Sequence, residues 1–223
     1  MSQILDFLRR LAANNDRHWF QAHKDEYEHA RTLWYGYLDR MFAAMSAWEP
    51  SAARADAKAC SYRIYRDTRF REDKTPYKTH FSAEFNPVGA PRAHYAGWYV
   101  QLSALPGESG VYAGLWQPDA AQLRRIRRDI VDNYDEFLSI VNDPAMVEVY
   151  GTEWWGRKLK TAPKGWPTDH ECIEYLRLLH YGREHSVSDD FFDLPDWPER
   201  LAELMRPAKP LVDFLNYSLT EQD

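Results

Sequence analysis

Thr79-His80-Phe81-Ser82-Ala83-Glu84-Phe85 sets Phe81, Ala83 and Phe85 two residues apart, the spacing that places alternate side chains on one face of a β-strand. The same period runs from Lys58 to Arg66, where Tyr62 and Ile64 share one face and Arg63 and Tyr65 the other. Residues 67–78 have neither a strand nor a helix period and contain Pro76, so they read as a loop. His94–Leu105 and Val111–Trp116 give two further strands, joined as a hairpin by Pro106-Gly107-Glu108-Ser109-Gly110. Four successive strands with no helical run between them imply an antiparallel sheet, and hence an α+β fold in preference to alternating α/β.

The flanks supply the helices. Leu5, Leu8 and Leu11 share a face with Ile4 and Phe7 alongside, and Asn14-Asn15-Asp16 breaks this first run. Phe20, His23, Tyr27, Ala30, Trp34, Tyr37, Met41, Met45 and Trp48 then recur at three- and four-residue steps up to Pro50. That stripe predicts one helix of about 30 residues, or about 45 Å, with His23 as a packed core side chain. After the hairpin, Gln117-Pro118-Asp119 opens a helix whose buried side is Leu123, Ile126, Ile130, Phe137 and Leu138. Arg124, Arg125, Arg127 and Arg128 are assigned to its solvated face. A break at Asn142-Asp143-Pro144 precedes a short strand at Trp154–Lys160, a helix from about Asp169, and a short strand at Tyr181–Val187. Helical patterns return from Pro198 to Leu219, interrupted by Pro207 and Pro210. With no repeat and no low-complexity linker, residues 1–223 read as a single α+β domain. Its sheet of about four to six strands packs on the long N-terminal helix and on further helices.

Composition narrows the function classes. At 223 residues with 44% hydrophobic content, the chain can bury roughly 70% of its unfolded surface. Cys60 and Cys172 belong to no CxxC pair, and read as buried, reduced thiols of a cytosolic protein. No run approaches the ~18 apolar residues of a membrane span, and Met1–Ala13 lacks the features of a signal peptide. Cytoplasmic localisation without a membrane partner is the expectation, and nothing specifies an oligomeric state. A net charge of −6 argues against indiscriminate nucleic-acid binding by the whole surface.

That charge is uneven. Residues 63–80 hold six bases (Arg63, Arg66, Arg69, Arg71, Lys74, Lys78) against three acids (Asp67, Glu72, Asp73), whereas residues 187–223 hold nine acids against three bases. Walker-type phosphate loops, dinucleotide glycine fingerprints and Gly-x-Ser-x-Gly elbows are absent from the sequence. His170 and Glu174 share a helix face, and His180 and His185 straddle a turn, but neither pair makes a site, so no metal and no cofactor is assigned.

The string Arg63-Ile64-Tyr65-Arg66-Asp67-Thr68-Arg69-Phe70-Arg71-Glu72-Asp73-Lys74-Thr75-Pro76-Tyr77-Lys78-Thr79-His80 resembles the signature of a bacterial family with fungal relatives, domain of unknown function 2461. Asn14-Asn15-Asp16-Arg17-His18-Trp19-Phe20, Gly114-Leu115-Trp116-Gln117-Pro118, Leu159-Lys160-Thr161-Ala162-Pro163-Lys164-Gly165 and Pro210-Leu211-Val212-Asp213-Phe214-Leu215-Asn216 are similar to further segments of that family. The resemblance implies no activity, so roles must come from chemistry.

Arginine offers a planar fork that meets carboxylates or phosphates bidentately, and lysine a compact charge. Arg63, Arg66, Arg69, Lys74, Tyr77 and Lys78 are the candidate ligand-binding residues, with Asp67 or His80 as acid/base candidates. Three charge-assisted hydrogen bonds give about 5–9 kcal/mol gross against at least ~4 kcal/mol of lost freedom, so a lone phosphate binds weakly. A useful ligand needs stacking or a polymeric backbone as well. Three readings follow: a site for a phosphorylated or carboxylated small molecule, a nucleic-acid module, or a structural and protein-interaction domain whose basic segment is internally ion-paired. A nuclease form of the second would use Asp67, Glu84 and Lys78.

Overall fold

The computed structural model describes residues 2–70, 72–89 and 93–220. Helices α1 (Ser2–Ala13), α2 (Arg17–Ala22), α3 (Lys24–Met45) and α4 (Ala57–Cys60) precede strands β1 (His80–Phe85), β2 (Gly97–Ser103) and β3 (Gly110–Leu115). Helices α5 (Ala120–Asp132), α6 (Tyr134–Val141), α7 (Pro144–Tyr150) and α8 (Ile173–Leu176) lie between β3 and β4 (Tyr181–Ser186), and α9 (Trp197–Met205) and α10 (Lys209–Thr220) follow. The four strands form one antiparallel sheet in the order β1-β2-β3-β4, so the class is α+β. No helix among the described residues is long and apolar enough to cross a membrane. The chain divides into two compact units: Met1–Phe85, Tyr99–Val111 and Ser186–Glu203 in one, Asn86–Trp98, Tyr112–His185 and Leu204–Asp223 in the other.

In the first unit the apolar stripe is buried as its spacing predicts, through Phe20, Tyr27, Ala30, Trp34, Met41 and Met45, with Leu38 and Phe42 beside them. The long helix is present as the 22-residue α3, shorter than about 30 residues because residues 17–22 form the separate α2. Asp16 caps α2 by accepting from Trp19 N at 2.9 Å, and the backbone leaves helical geometry at His23 (φ −115°, ψ 26°) before α3 begins. His23 is half-buried rather than a core side chain. Its ring stacks on Trp19 at 4.0 Å and its Nδ1 bonds Trp19 O at 2.8 Å, a local side-chain bond that competes with helix continuation.

The predicted strand over Lys58–Arg66 is also corrected. Asp56 accepts from Ala59 N at 2.7 Å and turns residues 57–60, Cys60 included, into the short helix α4. Beyond it are only single antiparallel bridges, Ser61 with Ala83 and Tyr65 with Tyr77, which differ in register by two residues. The ladder is therefore interrupted, as at a bulge, and no regular strand develops. The alternation nevertheless survives: Ile64 is buried and Tyr62 and Arg66 are half-buried, while Arg63 and Tyr65 are exposed. Across β1, Phe81 packs near Tyr27 and Trp34, and Phe85 near Phe42, so this strand rests on α3.

In the second unit Asp119 and Gln122 form a reciprocal capping box at the start of α5. The helix stops at Asn133, and α6 carries Phe137 and Val141 into the core against Phe214 of α10. Arg127 departs from its predicted solvated face: it is only 8% exposed and donates to Leu178 O at 3.2 Å. It lies four residues after Leu123 and three before Ile130, on the edge of the buried stripe, where helical geometry puts it. Trp154–Lys160 forms one bridge, Lys158 with Leu178, in place of a strand. The helix expected from Asp169 is reduced to α8, preceded by turns. Cys172 and Cys60 are both free and buried.

Candidate functional site

The basic segment is anchored from the N-terminal turn. Asn15 Nδ2 donates to Tyr77 O at 2.9 Å and Asn15 Oδ1 accepts from Tyr77 N at 3.1 Å. The Tyr77 ring is buried and stacked on Phe20 at 4.0 Å, so packing takes up the face expected to meet a ligand. Tyr62 N to Ser82 O (2.9 Å), Lys78 N to Ile64 O (2.8 Å) and Arg66 N to Pro76 O (2.9 Å) hold residues 62–66 and 76–82 as an irregular ribbon.

Between them residues 67–75 form a loop tied by its own polar groups. Arg69 grips Asp67 through Nε at 3.0 Å and a terminal nitrogen at 2.7 Å. Arg66 pairs with Asp73 at 2.6 Å and also bonds the Thr75 hydroxyl. Asp73 accepts from Thr75 N at 2.9 Å, and Lys74 Nζ reaches Thr68 O at 2.9 Å. Part of the basic segment is thus internally satisfied. Both carboxylates are held near a pKa of about 2. For Asp67 the bonds from the Arg69 side chain and backbone are the cause; for Asp73 it is the Thr75 amide, then Arg66 and the Thr75 hydroxyl.

The cations separate into two groups. Arg63 is exposed, within electrostatic reach of Asp67, and makes no hydrogen bond or ion pair among the described residues. Arg66 and Lys78 instead bear on His80, with the Lys78 ammonium 4.9 Å from the centre of the Tyr62 ring. His80 has its pKa pushed down to about 4, first by burial and then by Lys78 and Arg66. Arg71 lies outside the described residues. The structure therefore sets Arg66 and Lys78 to act on His80 while Arg66 also pairs with Asp73, leaves Arg63 near Asp67, and draws Lys74 into the loop.

Glu84, which the sequence offers only as part of a nuclease-type site, is the acidic residue of β1. It lies four residues along β1, on the face opposite Phe81, Ala83 and Phe85, and accepts a hydrogen bond from the Tyr62 hydroxyl. Among the described residues no three His, Cys, Asp or Glu side chains cluster as metal ligands.

An α+β protein carrying this ribbon and loop is the class these observations define. The family model described as "Conserved hypothetical protein (DUF2461)" matches residues 3–214, and the chain belongs to that family. No curated protein and no solved structure matches it.

Proposed function

We propose that the ribbon face carrying Arg66, Lys78 and His80 binds a phosphorylated or carboxylated small molecule, with the exposed Arg63 adding positive charge beside the adjoining loop, where Arg69 is matched by Asp67. The observation that carries this reading is that two cations bear on a half-buried imidazole which is neutral at physiological pH. An electropositive site next to a neutral hydrogen-bonding ring favours an anion that accepts from all three. Of the two acid/base candidates, Asp67 is ionised and locked to Arg69. That leaves His80 as the group able to take a proton from a bound ligand, and Glu84 with Tyr62 as polar neighbours on the same side of β1.

A thermal-shift panel of pyrophosphate, nucleoside phosphates, sugar phosphates and acyl phosphates tests the reading. At a concentration near 100 times Kd, a true ligand raises Tm by several degrees, about 2.7 kcal/mol of linkage. Lys78→Met is the diagnostic variant, because Arg66 also orders Asp73 and Thr75. The shift is expected to be lost in Lys78→Met, measured against that variant's own ligand-free Tm. No shift with any anion, or an equal shift in the variant, rejects the site.

A second reading is supported by Phe70, which is 94% exposed at the loop tip with the Arg69 guanidinium 5.9 Å from its ring centre. An aromatic ring flanked by bases suits stacking on single-stranded nucleic acid. Binding of that kind falls steeply with salt, which separates it from a small-ligand site.

A further inference from the structure

Three segments far apart in sequence meet in the second unit. Trp116, just after β3, is 50% exposed, and its ring lies 4.1 Å from that of Trp155, tilted by 34°. Tyr112 meets both indoles edge-on, each at 5.9 Å, and His180 lies 5.6 Å from Trp116 and 5.1 Å from Trp155.

The backbone is shaped around this cluster. A Cβ on Gly156 would stand 2.6 Å from the His180 ring, and one on Gly182 would overlap the Tyr112 phenol. Gln117 is the one non-glycine described residue with positive φ, at 48°, and in that conformation its amide donates to His180 Nδ1 at 3.1 Å. This bond leaves the proton of the neutral imidazole on Nε2, so His180 is fixed as a donor. Tyr112 is 8% exposed, and its hydroxyl is buried without a hydrogen-bond partner among the described residues. A buried hydroxyl left unmatched is costly unless something supplies the missing bond.

Two exposed charges of opposite sign bear on the cluster, Glu184 on Tyr112 and Arg157 on His180. Glu184 follows Gly182 by two on β4 and so shares the face that carries the Tyr112 phenol. Arg157 follows Gly156 and its carbonyl accepts from Leu179 N at 3.2 Å, next to His180. A nucleotide or other anion would meet Glu184, and a cation would meet Arg157. A neutral ring bearing several hydroxyls can use both, while its C–H face lies on the indole.

We propose that Tyr112, Trp116, Trp155 and His180 form a binding site for a neutral carbohydrate, one sugar ring stacking on the exposed part of the Trp116 indole and its hydroxyls bonding His180, Glu184 and Arg157. The proposal does not rest on the basic ribbon.

The test uses full-length protein labelled with 5-fluorotryptophan and followed by fluorine NMR, with the Trp116 signal identified by its absence in Trp116→Phe. Maltohexaose, cellohexaose and N-acetylchitohexaose are titrated separately, and adenosine monophosphate serves as the charged comparator. At least one oligosaccharide is expected to shift the Trp116 signal saturably with Kd on the order of 1 mM. Trp116→Ala should weaken that binding at least tenfold, read on the Trp155 signal. Saturable shifts that persist in Trp116→Ala overturn the proposal, as does tighter binding of adenosine monophosphate. A flat response to all three oligosaccharides in the unmodified sequence also overturns it, whatever the stability of the variants.

Discussion

Trp34→Ala is expected to lower the free energy of unfolding by about 4 kcal/mol, near the upper part of the range for deleting a buried aromatic side chain. Trp34 is 0% exposed, sits 6.0 Å from the Phe81 ring of β1, and donates from Nε1 to Ser61 Oγ at 2.9 Å. Truncation opens a cavity between α3 and β1 and removes the bond that ties α3 to the start of the ribbon. A typical domain has only about 5–15 kcal/mol in total, so the variant should be marginal at physiological temperature. Trp34→Phe keeps most of the volume and should lose roughly half as much. Urea denaturation of both variants checks this, and a loss below about 1 kcal/mol for alanine would show that the site is not packed as described.

Gly114→Ala should be at least as damaging. Gly114 has φ +133°, where an L side chain is strained, and its backbone lies so close to β4 that a Cβ would overlap Tyr181 O and stand 2.5 Å from Gly182 Cα. Neither neighbour is a flexible side-chain end, so β3 and β4 would have to part. The expected cost exceeds about 4 kcal/mol, combining backbone strain with loss of sheet pairing. Gly107 is the control, with φ +79° and no atom within 4 Å of where its Cβ would stand. Gly107→Ala carries the strain alone, about 1–2 kcal/mol. If both variants unfold at the same urea concentration, the close approach of the two strands is wrong.

What the sequence revealed follows from what periodicity encodes. The stripe from Phe20 to Met45 was legible because burial repeats every three to four residues whatever the exact backbone path. The break at His23 was not, since it keeps that spacing and depends on a ring stacking on Trp19. Likewise the facing of Ile64 and Arg63 was readable from alternation, but the change of register between Ser61 and Tyr65 leaves no mark in polarity. Arg127 defeats a reading that weighs charge over position on the helix.

The site was legible as a composition and not as an arrangement. Six bases in residues 63–80 are visible in the sequence. Which of them turn toward Asp67 and Asp73, and which toward His80, is decided by the ribbon's pairing and the fold of residues 67–75. Tyr112, Trp116, Trp155 and His180 do not stand out as a group, since no local spacing connects three distant segments.

The proposed anion site rests on the positive charge of Lys78 and Arg66 that bears on His80. Titration of the His80 imidazole by NMR, with its signals assigned through His80→Gln, reads that field directly. In the free protein His80 should titrate at about 4. Saturating pyrophosphate should move its pKa upward by offsetting Lys78 and Arg66, and Lys78→Met should raise the free value and blunt the response. A His80 titration that is the same with and without pyrophosphate, and the same in Lys78→Met, would contradict the account.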